Sequence, residues 1–270
     1  MRADQLLVER GLAVSRAQAQ RLIAAGVEFA DADGQWRRVA KNGHELAANA
    51  GLRLLDEAEA RYVSRGGLKL EGALAQTGLD VRGMTCLDVG QSTGGFTDCL
   101  LCKGAAKVIG VDVGHGQLHP RLAANPRVIG LEGINARYLK TTELIASQVQ
   151  WTSDKGHFDS EKSSEPTAVA EFDLVTGDLS FISLTLVLPA LAPLVAAGGA
   201  LLMLVKPQFE LQPGQIGKGG IVRDASLLPV VEQRIRAACE ALGLAVSGWF
   251  DSPIRGADGN REFFVFVRKP

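Results

Sequence analysis

Two hydrophobic rhythms divide this chain. Beyond Tyr62, short and nearly unbroken apolar runs alternate with stretches whose apolar residues recur every three to four positions. The runs predict strands over 85–89, 107–113, 128–133, 172–176, 201–205, 245–250 and 263–268. The periodic stretches predict helices over 96–103, 184–195 and 227–242. Pro189 and Pro193 are expected to kink or shorten the second of these. Strands without polar alternation are buried on both faces. The pattern therefore predicts an α/β unit with a mostly parallel seven-stranded sheet covered by helices. No helix joins the last two strands, so one of them is expected to run antiparallel at the edge.

Residues 1–58 read as a separate small α+β module, residues 59–64 as a linker and 65–270 as the larger domain. A first helix over 4–10 stops at Gly11. Ser15 and Gln18 form a capping box that opens a second helix, with Ala19, Leu22 and Ile23 on one face and Gly26 at its end. The segments 27–29 and 36–39 flank a turn-rich stretch and predict a hairpin. Leu46 and 52–55 predict two further short strands.

Composition narrows the picture. The 270 residues carry a formal net charge of −1, so any polyanion site is a local patch. No apolar run is long enough to span a bilayer, and no signal pattern opens the chain. A cytoplasmic protein with no membrane partner is expected. Cys86, Cys99, Cys102 and Cys239 read as buried small apolar residues. The Cys99–Cys102 spacing lacks a second ligand pair, and Gly116 and Pro120 disrupt the His115–His119 spacing, so no metal is expected. The polar segment 151–170 reads as a mobile surface insertion, and the glycine-rich 214–220 as a lid.

The loop LDVGQSTGGFT follows the first strand of the sheet. Gly90, Gly94 and Gly95 allow close backbone approach to a ligand, and Ser92 and Phe96 lie in the same turn. The spacing does not match the dinucleotide pattern G-x-G-x-x-G. Asp112 ends the second strand, where a carboxylate can accept from both hydroxyls of a ribose. Together the turn, the acid and the strand order favour S-adenosylmethionine. Asp88 can position the loop or the methionine ammonium; Asn135 is either an adenine contact or a plain turn residue.

Four ionisable residues stand at motifs: Lys69 in SRGGLKL, Asp178 in DLVTGDLSFISL, Lys206 in LLMLVKPQFE and Glu262 in GNREFFVFV. Two lysines and two carboxylates at one sheet edge suit removal of a proton from a weak acid such as a ribose hydroxyl. Lys206, just past an apolar strand and before Pro207, is assigned as base. Asp178 orients it and the methyl donor, and Lys69 and Glu262 position the ribose.

Two resemblances follow from these motifs. DQLLVERGLAVSRAQAQRLIAAG resembles the RNA-binding domain of ribosomal protein S-four and its relatives. In that family the arginine at the second-helix cap grips phosphate, and Arg16 matches it. Ala3 replaces part of the usual Arg-Leu-Asp start, and Glu28, Asp31 and Asp33 make the hairpin acidic, so modest RNA affinity is implied. An RNA contact set of Arg2, Arg16, Arg21, Lys41, Arg65 and Arg137 is expected, five of them (Arg21 apart) as a phosphate track across both domains. Over nearly the full length, SRGGLKL, LDVGQSTGGFT, DVGHGQL, DLSFISL, VKPQFE, GKGGIVRD and NREFF resemble the TlyA family. These are RNA 2′-O-methyltransferases with an S-four-type domain ahead of an FtsJ-like, class I (Rossmann-like) methyltransferase domain. The Lys-Asp-Lys-Glu tetrad of FtsJ-like enzymes falls on Lys69, Asp178, Lys206 and Glu262. The resemblance implies S-adenosylmethionine as donor and a cytidine ribose of ribosomal RNA in the ribosomal subunits as target. The alternatives are a non-catalytic RNA-binding assembly factor, or a hemolysin, a label many members carry.

Overall fold

A computed structural model describes residues 1–13, 15–31, 33–55, 61–146, 171–256 and 258–270. The insertion expected over 151–170 lies outside them, as does part of the linker. The chain divides into two compact units, Met1–Leu68 and Lys69–Pro270.

In the smaller unit, helix α1 (Ala3–Glu9) packs against α2 (Arg16–Gly26). Ser15 caps α2 by accepting from the amide of Gln18 at 3.2 Å, while the Gln18 side chain donates to the carbonyl of Tyr62. Strands β1 (Val27–Ala30), β2 (Trp36–Arg38) and β3 (Leu52–Leu54) form an antiparallel sheet with β1 in the middle. Leu46 is not in a strand, contrary to the pattern-based reading. Its neighbour Glu45 makes a single bridge to Arg2, and Leu46 itself is buried in the core with Leu6, Leu22 and Val27. Its apolarity reports burial in a loop rather than strand pairing.

The larger unit is built on seven strands: β4 (Thr85–Val89), β5 (Lys107–Asp112), β6 (Val128–Glu132), β7 (Phe172–Gly177), β8 (Val195–Val205), β9 (Ala245–Asp251) and β10 (Phe263–Arg268). Their order is β6-β5-β4-β7-β8-β10-β9, parallel from β6 to β8, with β10 antiparallel to both its neighbours. The parallel strands are dominated by buried apolar residues, as expected of a sheet covered on both faces, and the exceptions include Asp88, buried in β4, and Asp112 at the end of β5. Helix α3 (Gly66–Thr77) precedes β4, α4 (Gly95–Cys102) follows it, and α5 (Pro120–Ala123) follows β5. A longer helix, Leu228–Glu240, precedes β9.

The helix expected over 184–195 is broken. A 3-10 turn (Leu184–Leu186), one helical turn (Leu188–Leu191) and a second 3-10 turn (Ala192–Leu194) replace it, and Val195 already begins β8. Pro189 and Pro193 each sit in a first turn, where no amide is required, so each opens a new piece rather than continuing the last. The cysteine reading also needs correcting. Cys86, Cys99 and Cys239 are buried, but Cys102, in the last turn of α4, is exposed.

Candidate active site

Chain direction explains why the site lies where it does. After β4 the chain moves to one side of the sheet for β5 and β6, and later to the other for β7 and β8. The crevice opens at the carboxyl ends of β4 and β7, where the strand order reverses. Gly90 immediately follows β4 and Asp178 immediately follows β7, and the amide of Asp178 donates to the carbonyl of Val89 at 3.2 Å. Gly90 has φ +83°, and a Cβ there would lie 3.0 Å from the Asp178 carbonyl oxygen, so glycine is required where the two turns touch.

Asp112, at the end of β5, is held by two loop amides: Ser92 donates to Oδ2 at 2.8 Å and Gly114 to Oδ1 at 2.7 Å. Each oxygen retains a lone pair for a further donor. Asp112, Gly90, Ser92, Asn135 and Asp178 line one cleft of about 540 Å³, a size suited to a small cofactor. The side chain of Asn135 also accepts from the amide of Arg137, so it is a turn residue that lines the cleft.

The other residues expected around the cofactor do not line this cleft. Asp88 is buried and braces the loop from below, accepting from the amide and hydroxyl of Thr97 at 3.0 and 2.7 Å. Gln91 donates to the same hydroxyl. Burial pushes the Asp88 carboxyl up to about 7, against the Thr97 bonds that pull it down. Phe96 is a core side chain stacked on Phe264. Gly94 and Gly95 form the cap and first residue of α4.

The four ionisable residues meet in a line. Glu262 pairs with Lys69 at 2.7 Å, Lys69 with Asp178 at 3.3 Å and Asp178 with Lys206 at 2.6 Å. Side-chain exposure rises along it, from 2% at Glu262 and 6% at Lys69 to 22% at Asp178 and 11% at Lys206. Exposure is greatest at Asp178, which lines the cleft, and Lys206 follows it. Burial raises the carboxyl of Asp178, but the charges and hydrogen bonds of Lys69 and Lys206 outweigh it and hold it below its ordinary range. Glu262 reaches the site through sheet register. Phe263 pairs with Val205, so the residue entering antiparallel β10 lies beside the residue leaving β8. Gly256 packs on Glu262, where a Cβ would stand 2.7 Å from Oε1.

Two site residues carry no signal in the hydrophobic pattern. Ser180 accepts from Lys206 Nζ at 2.8 Å. Phe181 is 90% exposed, has φ +64°, lines the cofactor cleft and lies against Phe209 at 5.2 Å between ring centres. A phenylalanine in the left-handed region is strained, and such strain clusters at ligand sites. Phe181 belongs to the DLSFISL motif, but nothing in an apolar run says which residue faces solvent.

In the smaller unit, Arg2 and Arg16 converge on Asp4, which is fully buried. Each guanidinium lies 3.0 Å from its carboxylate, with Gln20 at 3.4 Å. The Arg2 hydrogen bond, against the effect of burial and with help from Arg16, holds the Asp4 carboxyl well below the usual range. Arg21 is half-buried and Lys41 exposed. Arg65, also in the smaller unit, is half-buried just before α3, and in the larger unit exposed Arg137 lies 5.4 Å from the ring of Tyr138. The 3-10 turn Lys218–Gly220 is tied down by Asn260, whose side chain donates to the Gly220 carbonyl and accepts from the Val222 amide. Among the described residues, no cluster could hold a metal ion and no helix is long and apolar enough to cross a membrane.

Residues 62–269 match the FtsJ-like methyltransferase family. The chain is 40% identical over 267 residues to the 16S/23S rRNA (cytidine-2′-O)-methyltransferase TlyA of Mycobacterium tuberculosis, covering 99% of this chain and 89% of that protein. It is 34% identical to Hemolysin A of Brachyspira hyodysenteriae, covering 98% of each. A solved Streptococcus thermophilus structure carrying a hemolysin name is 38% identical, with a TM-score of 0.69 over 100% of this chain and 88% of that one.

Proposed function

Because the chain belongs to the FtsJ-like methyltransferases, and within them to the TlyA family, we propose that it transfers a methyl group from S-adenosylmethionine to a cytidine 2′-hydroxyl of ribosomal RNA. The observation that carries this reading is the line Glu262–Lys69–Asp178–Lys206, which ends beside a cofactor-sized cleft. The cleft fits the donor. Asp112 offers free lone pairs for two ribose hydroxyls, Gly90 clears the backbone, and Asn135 on the cleft wall is the candidate adenine contact. When bound, S-adenosylmethionine supplies an electrophilic methyl group.

The chain's own residues do the rest. A ribose hydroxyl is a very weak acid and must lose its proton as it attacks. Lys206 Nζ, steered by Asp178 and Ser180, is the acceptor. Lys69, fixed between Asp178 and buried Glu262, holds the line and positions the sugar. Phe181 offers an exposed ring for the target base, and such stacking is worth about 1–3 kcal/mol per base. The smaller unit is the RNA-binding domain of the S-four type, with Arg2 and Arg16 directed at phosphate. The glycine-rich 214–220, held at Gly220 and Val222 by Asn260, is the proposed lid for the target nucleotide.

The test is transfer of labelled methyl from S-adenosylmethionine to isolated ribosomal subunits, with the modified nucleotide mapped. Methyl appearing at a cytidine 2′-oxygen supports the reading. Donor binding without transfer to either subunit would support a non-catalytic assembly factor instead.

A further inference from the structure

The two turns that carry the reacting groups are joined by a buried carboxylate. Lys206 caps a one-turn helix, Pro207–Glu210. That turn makes two contacts with the loop after β7. The Phe209 ring lies against Phe181, and Glu210 reaches Ser183 and Leu184. Glu210 Oε2 accepts from the Ser183 hydroxyl at 2.6 Å and Oε1 from the Leu184 amide at 2.6 Å. Glu210 is only 4% exposed, and the guanidinium of Arg234 donates to its backbone carbonyl at 2.5 Å.

We propose that Glu210 is a positioning residue for methyl transfer: it clamps the Asp178–Ser183 loop to the turn after Lys206, and so sets the distance between the base and the groups that orient it. This rests on the function proposed above. Three observations carry it. Ser180 and Phe181 lie between the two anchored ends of the loop, Asp178 at Val89 and Ser183 at Glu210. Phe181 is strained, and a strained residue persists only where its surroundings over-determine it. The clamp is charge-assisted and shielded from water, the setting in which a hydrogen bond is strongest and its loss most costly. Burial raises the Glu210 carboxyl, against the Ser183 and Leu184 hydrogen bonds that pull it down.

Glu210→Ala, Glu210→Gln and Ser183→Ala separate this from a purely structural role. At saturating donor and RNA, Glu210→Ala should slow single-turnover transfer by roughly 10², the scale of a small misplacement at a reacting centre. Glu210→Gln keeps an acceptor for Leu184 and should fall between it and the parent. The double variant Glu210→Ala/Ser183→Ala should be no slower than Glu210→Ala, because both break one clamp. Amide exchange at Leu184 should speed up in Glu210→Ala and stay closer to the parent's in Glu210→Gln. A folded Glu210→Ala protein with unchanged transfer or unchanged Leu184 exchange overturns the proposal, and so do effects that multiply in the double variant. If Glu210→Ala does not fold, Glu210→Gln and Ser183→Ala should each slow transfer by a smaller factor, and unchanged transfer in both overturns the proposal. If the parent protein transfers no methyl to rRNA, the functional reading fails, and Leu184 exchange still decides the clamp.

Discussion

Each unit of this protein holds a carboxylate between two cations, but the cations differ. In the smaller unit Asp4 lies between Arg2 and Arg16; in the larger, Asp178 lies between Lys69 and Lys206. Guanidinium stays protonated, and its planar fork suits phosphate. An ammonium on a flexible stem can give up its proton. Under the proposed function the first arrangement presents permanent charge to RNA while the second moves a proton, and the choice of lysine or arginine separates the two roles.

The sharpest way to break this comparison is to exchange the cations. Lys206→Arg keeps the charge beside Asp178 but removes the proton acceptor. Transfer should fall nearly as far as in Lys206→Ala, by about 10² to 10⁴ in single-turnover assays. A near-normal rate in Lys206→Arg would make Lys206 an electrostatic group and move the base elsewhere. The reverse exchange, Arg16→Lys, keeps the charge but loses the planar fork, so RNA binding should weaken modestly while its salt slope is unchanged.

Next in size is the cofactor acid. Asp112→Ala removes the acceptor assigned to the ribose hydroxyls and leaves the amides of Ser92 and Gly114 without it. Losing hydrogen bonds to a charged group costs about 1.5–3 kcal/mol, so calorimetry should show donor binding weakened by roughly ten- to a hundredfold. Unchanged donor affinity would remove Asp112 from the cofactor site.

A smaller effect is expected from charge removal on the RNA side. Arg16→Gln should lower the log–log salt slope of rRNA binding by about one unit and leave donor binding alone. An unchanged slope would mean that Arg16 serves Asp4 and not RNA.

The smallest expected effects are shifts of stability with pH, and here two buried acids have opposite signs. The folded-state pKa of Asp4 is depressed. Its contribution is present above the unfolded carboxylate pKa of about 3.9 and is lost as pH falls through the folded value. The Asp88 carboxyl is raised to about 7. Its contribution is full below about 4 and is lost as pH rises through about 7. Thermal melts of Asp88→Asn should therefore lack a decline between about pH 4 and 7 that the parent shows. Melts of Asp4→Asn should lack a decline at the acid end. Parallel curves for parent and Asp88→Asn would mean that Asp88 titrates normally.

The sequence alone determined the chemistry and its addresses. Apolar runs marked the strands of the parallel sheet, and glycines, acids and lysines at their ends marked where a ligand and a proton acceptor would stand. These are local properties, set by period and by residue type. Tertiary structure decided which addresses meet. Lys69 and Asp178 are 109 residues apart, one on helix α3 and the other just after β7, and only the folded chain joins them. Glu262 stands beside Lys206 because β10 runs antiparallel, in the register that pairs Phe263 with Val205. The same packing turned Phe96 into a core residue and left Phe181 facing solvent. Periodicity records which faces are apolar, but not whether an apolar side chain finds a partner. That depends on packing between residues far apart in the chain.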